Sequence, residues 1–241
     1  TANANGVNSE FIIKDNTRRT TLKERVVGVS PHHPSRQVVR IDYENKDDIS
    51  SDIENNIIGL LNSILNEVDI IVISDYAKGV ITARLCSHII DIVSKLRKPL
   101  IIDPRTQHTH FYKNAFLIVP NSKEAREMAK SFSNNNLDIP EIGVLLKEKL
   151  NSNILITRGE EGMSLFTETN HLYIPTDGKK VFDVTGASDT VIAALSVALA
   201  NNLSIEESAR FANYAAGIKV GKIGVAPVSI NEVLDRLDNT E

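Results

Sequence analysis

The sequence predicts an α/β fold in which helices cover both faces of a mostly parallel central sheet. The first reason is that short apolar runs of strand length alternate with longer runs that carry apolar residues at helical spacing. The second is that the strand-length runs are almost continuously apolar, as is typical of strands buried on both faces. A chain of 241 residues, 41% of them hydrophobic, is long enough for one sizeable domain. We therefore expect a single domain over residues 1–241.

The N-terminal part differs from the rest of the chain. Two β-rich runs, at residues 25–30 and 37–43, flank the turn-prone stretch PHHPSR. Alternation of polar and apolar residues in the second run predicts a half-buried strand, such as one from a small sheet beside the main core. We expect this small flanking sheet within about residues 11–45 and the α/β core within about residues 46–241.

The core elements then follow in order. Residues 47–68 carry Ile and Leu at helical spacing after Asp and Ser, which cap helices well, and a strand is predicted at 69–74. The next runs predict a helix at 82–97, strands at 99–103 and 115–119, helices at 122–132 and 140–150, and a strand at 153–157. A hairpin-like pair at 162–167 and 171–176 precedes helices at about 186–200, 205–220 and 229–237.

The composition argues against several classes of partner. The formal net charge is −4 and Lys and Arg form no cluster, so we expect no nucleic-acid binding. No run approaches the roughly 18 apolar residues of a membrane-spanning helix, so we expect no membrane partner and a cytoplasmic location. The single cysteine, Cys86, lies in a helix-like run and is expected to be buried rather than reactive.

Two pairs of histidines raise the question of a metal site. His32 and His33 are adjacent, and His108 and His110 form an H-x-H pair. Neither pair has Cys or acidic partners at zinc-like spacing, so we interpret all four as solvated histidines of loops.

Polar loops follow four of the predicted core strands. They read SDYAKG, DPRTQ, PNSKE and TRGEEG, and the first two contain Asp75, Tyr76, Lys78, Asp103 and Arg105. Functional groups in open α/β sheets lie beyond the carboxyl ends of the strands, so these loops are expected to border a site. For Asp103 and Arg105, a surface salt bridge explains the pair equally well.

The stretch DVTGASD, at residues 183–189, combines an anion site with a carboxylate. Gly186 and its neighbours supply backbone N–H groups at a helix start, where unpaired donors and the helix dipole favour an anion. Asp189 in the first turn could accept a proton from an attacking hydroxyl, so the pattern is suited to phosphoryl transfer. From the motif alone, Asp183 or Thr185 as an ordinary helix cap and Asp189 as a dipole-favoured acid remain an equal alternative.

Several motifs together carry a family resemblance. DVTGASDTVIAAL resembles the second signature of the ribokinase-like (PfkB) carbohydrate kinases, PNSKE resembles their N-x-x-E element, and ITRGEEGMSLF resembles the strand and turn that line their nucleotide site. SDYAKG and VGKIG are similar to the branch of bacterial D-glycero-D-manno-heptose-7-phosphate kinases. The resemblance implies a ribokinase-like fold whose flanking sheet acts as a lid and dimerisation region. It also implies ATP-dependent phosphorylation of O1 of the phosphoheptose, for ADP-heptose and lipopolysaccharide core synthesis.

The resemblance also implies roles for individual residues. Asp189 would be the base, while Gly186, Ala187 and Ser188 would form the anion hole. The cofactors would be ATP and Mg²⁺, with a monovalent cation as a further candidate. Residues implied to organise the nucleotide and metal are Asn121, Glu124 (for Mg²⁺, through water), Thr157, Arg158, Gly159, Gly162, Asp183 and Asn213. Residues implied to face the phosphosugar are Asp75, Lys78, Lys23 and Arg40; for the last two a solvated strand face is the alternative.

Two departures from the family pattern keep other functions open. Ser188 stands where the family usually has Gly, and a serine disfavours a positive φ. The family's first Gly-rich signature precedes what is residue 1 here. Another sugar or a nucleoside as substrate, or a catalytically impaired nucleotide- or sugar-binding remnant, are therefore the alternatives. As protein partners we expect a second copy, in a homodimer, and a fused or separate nucleotidyltransferase.

Overall fold

The first two strands form a sheet of their own in the computed structural model, which describes residues 6–30, 33–176, 183–222, 224 and 226–238. Strand β1 (Leu22–Ser30) pairs antiparallel with β2 (His33–Tyr43), which confirms the predicted small flanking sheet. The prediction of a half-buried strand is wrong, because Val38 is 70% exposed and Val39 and Ile41 are exposed as well. A sheet of only two strands leaves both faces open to solvent in the single chain.

Among the residues that the structure describes, the central sheet has six strands, in the order in which they occur along the chain. They are β3 (Ile71–Ser74), β4 (Leu100–Asp103), β5 (Leu117–Ile118), β6 (Asn153–Thr157), β7 (Met163–Phe166) and β8 (His171–Ile174). The first four pair in parallel, and β7 and β8 add an antiparallel hairpin at one edge. The sheet is therefore mostly parallel, as predicted, and the carboxyl ends of β3 to β6 share one edge.

Helices cover both faces of this sheet. They are α1 (Ser51–Ile64), α2 (Ala83–Leu96), α3 (Ser122–Lys130), α4 (Ile139–Leu150), α5 (Ala187–Ala200), α6 (Ile205–Lys219) and α7 (Ile230–Asp238). Successive residues of β4 point to opposite faces: Ile102 packs among the residues of α2 to α4, and Ile101 packs among those of α5 to α7. In the part of the chain that the structure describes, none of the helices is long and apolar enough to cross a membrane.

The start of α5 lacks the side-chain cap that three other helices have, and this difference bears on the site. Capping boxes start α3, α4 and α6, and each joins an N-cap side chain to a glutamate three residues later. Helix α5 instead starts at Gly186, with no side-chain cap. The N–H of Ala187 turns back to the carbonyl of Val184 (3.1 Å), so among the described residues the first-turn N–H groups left for another acceptor are those of Ser188 and Asp189.

Candidate active site

A cavity of about 300 Å³ lies at the shared edge of the parallel strands, between their loops and the start of α5. Its walls include Tyr76, Asp103, Arg105, Asn121, Glu124, Thr157 and the run Gly186–Asp189. The structure thus brings together most of the residues predicted for phosphoryl transfer.

The start of α5 has the geometry of an anion site. Gly186 has a left-handed backbone (φ 76°), which turns the chain into the helix. Ser188 already lies within α5 and is not among the residues with positive φ, so its side chain brings no backbone strain. Asp189 follows in the first helical turn and is exposed towards the cavity. The position that requires glycine is therefore Gly186, and the serine is compatible with the helix start.

Asp183 fixes the chain just before this turn. Its carboxylate accepts hydrogen bonds from the backbone N–H of Thr185 (2.9 Å) and of Gly224 (2.8 Å). Hydrogen bonds from Thr185, then from Gly224, and the nearby Lys219 charge lower its pKa to about 2. The Lys219 side chain is only 2% exposed and donates to the carbonyl of Gly224 (2.7 Å). Asp183 is therefore a charged anchor for the loop before α5.

Acidic side chains dominate the opposite wall. Burial, and then the carboxylates of Glu124 and Asp189, raise the pKa of Asp103 to about 6, although the Arg105 charge opposes the shift. Arg105 also donates to Glu124 (3.1 Å), and both Asp103 and Arg105 line the cavity, which favours a place at the site over the alternative of a surface salt bridge. Sequence reasoning assigned Asp103 and Arg105 no definite role, and their place after β4 was the signal that could have assigned one.

The donor set fits a hard divalent cation. Three carboxylates, of Asp103, Glu124 and Asp189, line one cavity, and a cation there would relieve their mutual repulsion. Within the described ranges, no three His, Cys, Asp or Glu side chains are grouped closely enough to hold a metal alone. The carboxylates that line the cavity fit Mg²⁺, which keeps several waters and is usually bound through one or two carboxylates and substrate phosphates.

Asn121 and Glu124 also perform a structural task. The Asn121 side chain accepts from the N–H of Glu124 (2.9 Å), and the Glu124 side chain accepts from the N–H of Asn121 (3.0 Å). This capping box fixes both side chains at the start of α3. The same contacts hold them rigidly at the cavity wall.

Four residues predicted for the nucleotide lie away from this cavity, around the end of β8. Arg158 lies over the ring of Tyr173 (5.3 Å), and Gly162 approaches Ile174 so closely that a Cβ would lie 2.1 Å from its carbonyl oxygen. Asn213 donates to the carbonyl of Pro175 (2.9 Å). Gly159 shares the short 3₁₀ turn Gly159–Glu161 with the Arg158 loop. The structure thus gathers them into one neighbouring region.

A second cavity of about 540 Å³ lies between the flanking sheet and the core. Lys23, Asp75, Tyr76 and Lys78 are among its walls, and Tyr76 lines both cavities. The Lys23 ammonium and the Arg105 guanidinium lie 5.7 and 5.4 Å from the centre of the Tyr76 ring. The phenol ring is therefore a partition between the two spaces.

The cationic residues predicted to face the phosphosugar differ in their contacts. Lys78 forms an ion pair with Glu44, on the segment that leaves β2. Arg40 pairs with Asp42 (2.8 Å) on its own strand and lines neither cavity, which favours the solvated strand face. Lys23 and Lys78 are therefore the predicted cations placed at the second cavity, and Glu44 is a neighbour that sequence reasoning did not identify.

The histidine interpretation is partly wrong. His110 is exposed, as predicted. His108, however, is only 16% exposed and its Nδ1 lies 2.6 Å from the carboxylate of Asp75. Sequence reasoning missed this pair because the two residues are far apart in the chain. His32 lies outside the described residues, as does the side chain of His33.

A protein family and several curated relatives match most of the chain in sequence. Residues 1–232 match the family described as pfkB family carbohydrate kinase. The bifunctional protein HldE of Sulfurimonas denitrificans is 40% identical over 233 residues, which are 94% of this chain and 46% of that protein. HldE of Helicobacter hepaticus is 40% identical over 231 residues, 95% of this chain and 47% of that protein. The chain thus spans about half the length of these curated relatives.

Solved structures share the fold. A ribokinase from Thermotoga maritima superimposes with a TM-score of 0.68 at 20% identity, over 90% of this chain and 70% of that chain. An Arabidopsis thaliana ribokinase complexed with ribose and ATP gives 0.70 at 21% identity, over 96% of this chain and 73% of that chain. The predicted ribokinase-like fold is confirmed.

Proposed function

This chain belongs to the pfkB family of carbohydrate kinases, phosphotransferases with an alcohol as acceptor, and from that premise we propose that it phosphorylates O1 of D-glycero-D-manno-heptose 7-phosphate with ATP. The observation that carries the proposal is the pair of adjoining cavities, one with a carboxylate beside a helix start and one with two lysines. The match to HldE proteins supports the choice of sugar. The product would serve ADP-heptose and lipopolysaccharide core synthesis.

Asp189 is the general base in this proposal. It takes the proton of the sugar hydroxyl as the oxygen attacks the terminal phosphorus of ATP, and the bond from that phosphorus to the bridging oxygen breaks to release ADP. The N–H groups of Gly186 and Ser188 stabilise charge that develops on the transferred phosphoryl group, and that of Ala187 can join them only by giving up its bond to the Val184 carbonyl. The left-handed turn at Gly186 supports this role, because it aims the open end of α5 into the cavity that Asp189 lines.

Asp103 and Glu124 hold Mg²⁺ in the same proposal, with Glu124 acting through water. Bound Mg²⁺ neutralises phosphate charge during the transfer. Asn121 keeps Glu124 in place through the capping box, and Arg105 balances the carboxylate charge when the cation is away. The residues around the end of β8, with Arg158 and Asn213, accommodate the rest of the nucleotide.

The second cavity receives the phosphosugar. Lys23 and Lys78 offer two ammonium groups to the phosphate that the substrate already carries. Lys78 then exchanges its contact with Glu44 for the phosphate. A sugar without this phosphate offers Lys78 no partner to replace Glu44, so we expect it to be a poor substrate.

Two protein partners follow from the same reasoning. A second copy would cover the exposed valines of the flanking sheet, which explains the apolar side chains left open in the single chain. A nucleotidyltransferase would use the product, since the HldE relatives are described as bifunctional and are about twice as long as this chain.

The test is ATP-dependent phosphorylation of a panel of sugars, sugar phosphates and nucleosides by the full-length protein. We expect the phosphoheptose to be preferred and Asp189→Asn to lose about 10²-fold or more in kcat. Asp91→Asn, an exposed carboxylate on α2, is the matched control and should keep wild-type turnover. Preference for another sugar or a nucleoside would replace the proposed substrate. Nucleotide binding without turnover on any acceptor would favour the impaired remnant.

A further inference from the structure

A buried carboxylate lies at the carboxyl end of β3 and takes no part in the chemistry proposed above. The side chain of Asp75 is 1% exposed. Its Oδ1 accepts from the N–H of Ala77 (2.7 Å), while its Oδ2 accepts from the hydroxyl of Tyr112 (2.7 Å) and from Nδ1 of His108 (2.6 Å). We assign His108 the donor role, because the same Oδ2 of Asp75 also accepts from Tyr112. With three donors already in place, Asp75 is poorly suited to bind the sugar directly.

The Tyr112 hydroxyl extends this network to a second loop. It accepts from the backbone N–H of Arg105 (2.9 Å) while it donates to Asp75. Burial raises the pKa of Tyr112 well above its usual range, so the phenol keeps the proton that it donates. The loop after β3 and the loop after β4 are thus joined through one buried side chain. These loops carry Tyr76, the partition between the two cavities, and Arg105, which lies over its ring.

The loop after β3 needs such support because its backbone is constrained at both ends. Ala77 has a left-handed conformation (φ 50°), which is unfavourable for a residue with a Cβ. The bond from its N–H to Asp75 helps to hold that conformation. At the other end, a Cβ on Gly79 would lie 1.7 Å from the carbonyl oxygen of Asp47, so this part of the loop packs directly on the segment that leads from the flanking sheet.

We propose that Asp75, His108 and Tyr112 are positioning residues that together hold Tyr76 and Lys78 at the boundary between the two cavities. They act through the backbone of residues 75–79 and touch neither reacting group. The kinetic consequence of the proposal rests on the function proposed above. Loss of a donor to Asp75 should release Tyr76 and Lys78, and so weaken the sugar side of the reaction more than the nucleotide side.

The sharpest variants are a pair at His108. Asn can place an N–H where Nδ1 of histidine lies, so His108→Asn keeps the donor, whereas His108→Leu fills similar space without one. Tyr112→Phe removes the other side-chain donor to Asp75, and it leaves the N–H of Arg105 without its acceptor. His110→Leu is the matched control, because His110 lies on the same 3₁₀ segment, Thr106–Tyr112, and is exposed.

Two readouts test the proposal separately. Hydrogen exchange of the peptide that contains the Ala77 amide reports on the loop without any substrate. We expect faster exchange there in His108→Leu and Tyr112→Phe, and wild-type exchange in His108→Asn and His110→Leu. In the kinase assay the first two should raise the KM for the phosphosugar about tenfold with the KM for ATP unchanged.

The outcomes are distinguishable. Wild-type exchange and wild-type KM in both His108→Leu and Tyr112→Phe would overturn the proposal, as would a His108→Asn variant as impaired as His108→Leu. If the wild-type protein turns over no sugar, the exchange measurement still decides, so the proposed function can fail while the positioning network stands. Thermal unfolding of each variant shows whether a change in exchange or KM comes from loss of the folded state. If His108→Leu is unfolded, the comparison of His108→Asn with the wild type still tests the proposal.

Discussion

Replacing Asp103 with Asn is expected to stabilise the fold above pH 6 and at the same time to impair the use of Mg²⁺. Burial and the neighbouring carboxylates raise the pKa of Asp103 from 3.8 to about 6. At about 1.4 kcal/mol per pKa unit, this shift corresponds to a loss of folding free energy of at most about 3 kcal/mol. Because the group is partly exposed, we expect a loss of about 1–2 kcal/mol. Asn keeps the shape of the side chain and removes the charge.

The pH dependence follows from the direction of the shift. Above pH 6 the folded protein carries an ionised Asp103 that is less favourable than in the unfolded chain, so the destabilisation is complete there. As the pH falls from about 6 towards 4, the folded protein takes up the proton before the unfolded chain does, and the destabilisation disappears. The gain from Asp103→Asn should therefore be about 1–2 kcal/mol at pH 8 and close to zero near pH 4.

Urea unfolding of the two proteins at several pH values measures this gain, and a kinase assay over a range of Mg²⁺ concentrations measures the functional loss. The variant should need more Mg²⁺ for half-maximal turnover, because one of the carboxylates that fit the cation is gone. A variant that is less stable than the wild type at pH 8, or equally stabilised at all pH values, would refute the electrostatic reasoning. An unchanged Mg²⁺ requirement would remove Asp103 from the metal site.

Four further substitutions probe other parts of the account. Gly186→Ala forces a Cβ into the left-handed turn and should cost about 1–2 kcal/mol in urea unfolding together with most of the turnover, whereas Ser188→Gly, within α5, should leave kcat near the wild-type value. Lys219→Met removes the ammonium that donates to Gly224, so we expect a lower kcat with an unchanged KM for ATP in steady-state assays; a wild-type kcat would contradict it. Glu44→Gln removes the competitor for Lys78, and a lower KM for the phosphosugar is expected, while a higher KM would mean that the ion pair shapes the cavity.

The order and type of the core elements could be predicted from the sequence because the relevant signals are local. Continuous apolar runs gave the buried strands, and caps such as Asn121 with Glu124 mark helix starts over a span of four residues. The flanking sheet was predicted, yet its exposure was not. Alternation of apolar residues in β2 indicates a face that something covers, and it does not reveal whether the cover belongs to the same chain.

In the candidate site, too, the residues of short motifs could be predicted and the contacts between distant residues could not. Asp189, Gly186 and Asn121 lie in short motifs, and the carboxyl-end rule brings the loops that carry them to one edge of the sheet. The contact between Asp75 and His108 joins residues 33 positions apart, and the approach of Lys78 to Glu44 joins residues 34 positions apart. Such pairs depend on how elements pack, which single-sequence patterns do not encode. The helix that contains Ser188 was predicted, whereas the sign of φ at Ser188 was a question of backbone geometry that only the structure could answer.

The most direct test of the central claim is the identity of the product that Asp189 makes possible. With ATP, Mg²⁺ and D-glycero-D-manno-heptose 7-phosphate, ³¹P NMR of the wild-type reaction should show a second phosphate on O1 of the sugar. Asp189→Asn, folded to the same extent by circular dichroism, should form it at least about 10²-fold more slowly. A phosphate on another atom would contradict the proposed acceptor, and wild-type turnover by Asp189→Asn would contradict the assignment of the base.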